Sequence, residues 1–278
     1  MTQALGELVE VMGPSATTAD LTTEAISLWK AAMCPLRAYG TTVGLLSYLR
    51  AACSYAADEG WMDRVPRWKR LRPKRIMPPA IGPHLSLIES AALLGHLASR
   101  SRSGEWACRR LESAAAIALY CGLRRDELLF LRIRDVDLEA GIISIVPVDA
   151  RDLKTAASAQ PVGIPPELSP ILRSFIPDTG PDWMHPGLKR ESAWHGGRPG
   201  HRPVDDLRRA AAAAGIPHAD WQTLRRTWAT HAEQRWGLTD PQIQRVLRHT
   251  SPLTSRLHYR AADVANLRDI ASRVSYRP

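Results

Sequence analysis

Residues 122–128 read Gly122-Leu123-Arg124-Arg125-Asp126-Glu127-Leu128, and a hundred residues on the chain reads Gln222-Thr223-Leu224-Arg225-Arg226-Thr227. The apolar run before Gly122 predicts a helix over residues 104–121. Glycine closes it because it enters the left-handed conformation without a Cβ penalty. Arg124 therefore stands at the start of the next element, and Glu127 follows within one helical turn, a spacing at which carboxylate and guanidinium meet. Alone, Gly-Leu-Arg is an ordinary helix start and Arg225 an ordinary surface arginine of a basic helix. Their meaning depends on what surrounds them.

Toward the C-terminus, Ile142 to Val146 is rich in β-branched residues and Pro161 to Ile164 is a shorter partner. Together they predict a β-hairpin, with Lys154 of Asp152-Leu153-Lys154-Thr155 in its loop. Helices are predicted over 204–214, stopped by Gly215, and over 224–236, stopped by Gly237. Thr239-Asp240-Pro241 caps another, with proline in its first turn. Leu247-Arg248-His249 follows, and Tyr259 comes ten residues after His249. Two further helical stretches cover 254–260 and 264–274.

Toward the N-terminus, Ser86-Leu87-Ile88-Glu89 is a capping box that starts a helix to about Ser99. Before it lie Arg64, Arg67, Lys69, Arg70, Arg72, Lys74 and Arg75 among Pro66, Pro73, Pro78 and Pro79. This is a basic, proline-stiffened connection, either a plain linker or one that tracks a DNA backbone. Upstream, Asp20 is a plausible N-cap for a helix to Cys34. Thr42 to Glu59 places Leu45, Leu46, Leu49, Ala52 and Tyr55 on one face and ends at Gly60. A weaker pattern covers 4–12. The predicted division is a helical unit over 1–75, a linker over 76–84 and a larger domain over 85–278.

With 278 residues, 45% of them hydrophobic, the chain can bury a core in each of two domains. Lys plus Arg number 37 against 28 Asp plus Glu, a formal charge of +9 that suits a polyanionic partner. The four cysteines form no CxxC pair and have no histidine at ligand spacing, so no metal and no disulfide framework is expected. No secretory leader and no membrane-length apolar run is read, and the expected location is the cytoplasm, with the bacterial nucleoid.

Cutting a phosphodiester without metal takes a nucleophilic hydroxyl, cations on the non-bridging oxygens and an acid for the leaving 5′-oxygen. The segments quoted above, in their order, resemble the tyrosine recombinases, or phage-type integrases, from about Leu21 onward. The resemblance implies a mainly α fold with a small β-hairpin or short sheet, built as a helical core-binding domain followed by a catalytic domain. It identifies Arg124 and Arg225 with the two catalytic arginines, Lys154 with the hairpin general acid, His249 with a hydrogen-bond donor to the scissile phosphate, and Tyr259 with the nucleophile. Double-stranded DNA is the implied partner, no cofactor is called for, and a homotetramer on paired sites is implied, weakly associated without DNA. Arg67, Lys69, Arg70, Arg72, Lys74, Arg75, Arg226 and Arg248 are the candidate DNA contacts.

Three positions depart from the family pattern. Gln222 stands where a histidine is usual, and it donates a hydrogen bond without shuttling a proton. Arg248 replaces the glycine of Leu-Gly-His. The usual nucleophile spacing after His249 falls on His258, so one extra residue in the turn after Pro252 is needed to bring Tyr259 into place. The alternative is a DNA-binding protein on the same fold with impaired cutting; a DNA-relaxing topoisomerase is a third reading. The last helix, with Val264, Leu267, Ile270 and Val274 at helical spacing, either docks on a neighbouring protomer or packs on its own domain.

Overall fold

The computed structural model describes residues 2–33, 37, 39–71, 83–147, 159–176, 182–187, 192–194, 202–248 and 264–276. The chain divides into two compact units, Met1–Ala80 and Ile81–Pro278.

The first unit is helical: α1 (Thr2–Met12), α2 (Thr23–Met33), α3 (Tyr39–Asp58) and the single turn α4 (Trp68–Leu71). Leu8, Ile26, Trp29, Leu45, Leu46, Leu49 and Leu71 form its core. Of the stripe expected on α3, Leu45, Leu46 and Leu49 are buried, but Tyr55 is exposed and the buried face continues through Cys53 and Ala56. Gly60 ends that helix at φ +73°. The start of α2 differs from expectation. Asp20 turns its carboxylate back onto the Thr17 amide at 2.8 Å and closes a short 3-10 turn. The α2 cap is Thr22, whose hydroxyl accepts from the Ala25 amide at 3.1 Å.

The second unit is built around α6 (Trp106–Cys121), preceded by α5 (Leu87–Ser101). The Ser86–Glu89 capping box forms, the serine hydroxyl accepting from the Glu89 amide at 3.2 Å and the carboxylate accepting from the Ser86 amide at 2.7 Å. From Ser113 to Cys121 every residue of α6 is buried. A helix buried on all faces is a central one, and its alanines let neighbours approach closely. There follow α7 (Arg125–Leu129), β1 (Val136–Asp137), β2 (Ile142–Ile143), β3 (Val162–Gly163), α8 (Ser169–Phe175), α9 (Pro203–Ala213), α10 (Trp221–Gln234), α11 (Asp240–Leu247) and α12 (Val264–Ser272). The predicted hairpin is present as β2 and β3, paired antiparallel with Ile143 opposite Val162. It belongs to a three-stranded sheet in the order β1-β2-β3. The sequence reading had no β1 and no α8, and the predicted helix over 254–260 lies outside the described residues.

Helix α10 packs on α6. Trp228 is buried between them and donates its indole N–H to the Tyr120 carbonyl at 3.1 Å. The last helix is seated on its own domain: Ile270, Val274 and Tyr276 join the main core, and the Tyr276 hydroxyl donates to the Leu119 carbonyl at 2.8 Å.

Candidate functional site

The site starts where α6 stops. Gly122 takes φ +60°, and a Cβ there would stand 3.1 Å from Trp228 Cδ2 and 3.2 Å from Leu247 Cδ2. Both the backbone conformation and the space thus require glycine, and the tight turn sets Arg124 immediately before α7. Glu127 is buried at 4% exposure. Its Oε2 accepts the Arg124 amide at 2.7 Å and its Oε1 accepts Arg124 Nη1 at 2.7 Å. One side chain thus caps α7 and fixes the arginine that begins it. About a third (33%) of the Arg124 side chain stays exposed.

Arg225 comes from the second turn of α10 and is buried. Its Nη1 donates to the Gly122 carbonyl at 2.6 Å and its Nη2 to the Leu247 carbonyl. Those acceptors lie at the C-terminal ends of α6 and α11, where helix carbonyls lack intrahelical partners. Arg225 Nη1 is also 3.9 Å from Glu127 Oε2. Burial, with Arg248 and Arg124 nearby, pulls the Arg225 guanidinium down to about 9, which leaves it cationic at neutral pH.

Arg248 ends α11 in the left-handed conformation, φ +51° and ψ +45°. Its side chain folds inward with no exposure. Nη2 meets Glu127 Oε2 at 2.5 Å, Nη1 meets the Val246 carbonyl at 2.6 Å, and its own carbonyl accepts Arg124 Nη2 at 3.0 Å. This corrects the expectation of a DNA contact, since a side chain closed under two helix ends cannot touch a duplex. Three guanidinium groups therefore surround one carboxylate. Burial opposes charge on Glu127, but Arg248, the Arg124 amide and the Arg124 guanidinium outweigh it and hold the carboxyl below its ordinary value. Arg248 stands out in the sequence because it replaces the glycine of Leu-Gly-His; that its side chain turns inward is set by the contact with distant Glu127.

The remaining residues divide sharply. Gln222 is exposed on the first turn of α10, which Asp220 caps by accepting the Thr223 amide at 2.6 Å. Arg226 is partly exposed and donates to the Pro83 carbonyl at 3.0 Å. Arg67, Lys69 and Arg70 are exposed at α4. Lys154, His249, Tyr259, Arg72, Lys74 and Arg75 lie outside the described residues. Of the six candidate catalytic residues Arg124, Lys154, Gln222, Arg225, His249 and Tyr259, the described structure thus brings Arg124 and Arg225 together around Glu127. Among the described residues no cluster of three His, Cys, Asp or Glu is placed to hold a metal ion, and no helix is long and apolar enough to cross a membrane.

No family model and no curated protein matches the chain. Solved structures do. A lambda integrase fragment, seen as a dimer bound to a COC′ core site, aligns over 94% of this chain and 90% of its own at 16% identity, with a TM-score of 0.61. The Tn1549 transposon integrase in complex with transposon right end DNA aligns over 95% of this chain and 91% of its own at 15% identity, with a TM-score of 0.63. A lambda integrase tetramer bound to a Holliday junction aligns over 95% of this chain and 74% of its own at 15% identity, with a TM-score of 0.59. At such identities the likeness is one of fold, and the fold is that of the tyrosine recombinases and integrases.

Proposed function

We propose that this chain is a site-specific DNA recombinase that cuts and rejoins duplex DNA through a 3′-phosphotyrosyl intermediate on Tyr259. The observation that supports this most is the pairing of Arg124 and Arg225, from segments far apart in sequence, around one buried carboxylate at the meeting of α6, α7, α10 and α11. Of the two, Arg124 keeps a third of its side chain exposed and has donors left for the non-bridging oxygens of a phosphodiester, whose charge grows in the pentacoordinate transition state. Buried Arg225, bonded to helix-end carbonyls, adds positive charge behind it. Loss of either arginine is expected to cost on the order of 3 kcal/mol of transition-state stabilisation.

In this reading the Tyr259 oxygen attacks phosphorus, the bond to the 5′-oxygen breaks, and Lys154 gives that oxygen its proton. His249 and Gln222 donate hydrogen bonds to the phosphate. The 5′-hydroxyl of a partner strand then attacks the phosphotyrosine and releases the tyrosine. The ester bond energy is conserved throughout, so the cycle draws on no nucleotide and no metal. Double-stranded DNA is the partner, four protomers act on paired sites, and Arg67, Lys69, Arg70, Arg72, Lys74, Arg75 and Arg226 contact its backbone. Such a protein works where the DNA is, in the bacterial cytoplasm at the nucleoid.

A duplex nicked beside the cut site, in which the short fragment bearing the released 5′-hydroxyl diffuses away and traps the adduct, tests this. The wild-type chain is expected to form a covalent protein-DNA product that is absent in Tyr259→Phe. Gln222 and the ten-residue step from His249 to Tyr259 favour a second reading, a binder on this fold without cutting activity. Duplex binding with no adduct would establish it.

A further inference from the structure

Arg248 is the only non-glycine residue with positive φ among the described residues, at φ +51°. Glycine suits that conformation, and an arginine there is strained. Outliers of this kind persist where the surroundings hold them, and they concentrate at functional sites. The surroundings here are explicit. The guanidinium of Arg248 binds Glu127 Oε2 at 2.5 Å and the Val246 carbonyl at 2.6 Å. Its carbonyl, aimed by the left-handed turn, accepts Arg124 Nη2 at 3.0 Å. Glu127 Oε1 takes Arg124 Nη1 at 2.7 Å. The contacts close a ring that runs Arg124, Glu127, Arg248 and back to Arg124.

We propose that Arg248 is a positioning residue that locks the Arg124 guanidinium, by its carbonyl on one side and through Glu127 on the other, so that the remaining donors of Arg124 face a phosphate. Among the described residues two of the five N–H groups of Arg124 are spent inside the ring, one from each terminal nitrogen. The three left over include the Nε–H and one hydrogen on each terminal nitrogen, a set that suits an oxyanion with two accepting oxygens. Arg248 itself is closed to solvent and acts only through its neighbours. The phosphate is taken as the backbone of duplex DNA, which rests on the recombinase reading above.

The test compares wild type with Arg248→Gly in the full chain, a change that keeps a residue suited to the left-handed turn. Three quantities are measured: the affinity for duplex DNA, the single-turnover rate of adduct formation on the nicked duplex at saturating protein, and the rate at which phenylglyoxal modifies Arg124 relative to Arg125, read by mass spectrometry. The expected result is a rate at saturation lower by about a hundredfold, as for a misplaced reacting group, with little change in affinity. Arg124 is expected to react several times faster than in the wild type. Arg248→Lys, which keeps a cation for Glu127 but not the fork, is expected to move both readouts the same way by less, and it stands in if the glycine variant does not fold. Unchanged Arg124 reactivity overturns the proposal whatever the rate does, and so does an unchanged rate with a loosened Arg124. If the wild type forms no adduct at all, the recombinase reading falls, while the reactivity of Arg124 still decides whether Arg248 locks it.

Discussion

Glu127 is one buried carboxylate answering three guanidinium groups, and the physics of that ratio is testable by stability alone. Breaking a buried ion pair from one side strands the other charge where water cannot reach it, at a cost of about 3–5 kcal/mol. Glu127→Ala removes the partner of Arg248 and of Arg225, both closed to solvent. We expect urea unfolding of this variant to show a loss in that range, and a loss under about 1 kcal/mol, the value of an exposed pair, would contradict the geometry. The Arg124 to Glu127 contact was legible in the sequence because a three-residue spacing within one helical turn brings the groups together. The third member was not. Arg248 reaches Glu127 because residue 248, where the family pattern has glycine, takes the left-handed conformation and the end of α11 meets Glu127 of α7, a contact between distant segments that no local pattern encodes.

Among the elements, those ended by local chemistry were the ones the sequence revealed. The Ser86–Glu89 box, Gly122 after α6 and Gly60 after α3 each act within a few residues, so their residue types suffice. The two-residue strand β1 and the seven-residue helix α8 are too short to show a period, and Asp20 misled because its carboxylate served the earlier turn. His185 was not singled out either, yet it ties α6 to α7. Its Nδ1–H donates to the Leu128 carbonyl of α7 at 3.2 Å, and its Nε2 accepts from the Ser113 hydroxyl of α6 at 3.2 Å. Burial lowers its pKa from 6.5 to about 4. The unfolded chain therefore takes up a proton first as pH falls. The stability that neutral His185 contributes is complete above pH 6.5, declines below it and is gone near pH 4, about 3 kcal/mol in all. Thermal unfolding followed across that window should show the decline, and His185→Gln should flatten it.

At the scale of the whole molecule the informative quantity is the surplus of cations. A formal charge of +9 speaks to partners and not to fold, and the tyrosine-recombinase fold became visible in the sequence only through ordered motifs in separate segments. If those cations neutralise six to ten phosphates, duplex affinity should drop by about 10³–10⁵ between 50 and 200 mM salt. A binding isotherm that hardly moves over that range would mean that the charge serves something other than a DNA backbone. Arg67, Lys69 and Arg70, exposed at α4, should each reduce the salt slope by about one when neutralised if they meet a phosphate.

The carbonyls of Tyr120 and Gly122 at the end of α6 are taken by Trp228 and Arg225 of α10, more than a hundred residues later in the chain. Until the ribosome has delivered α10, the first arginine has no companion and the end of its helix is unsealed. A nascent or proteolytically shortened chain that stops before α10 thus lacks the second guanidinium beside Glu127 and leaves the carbonyls at the end of α6 without their partners.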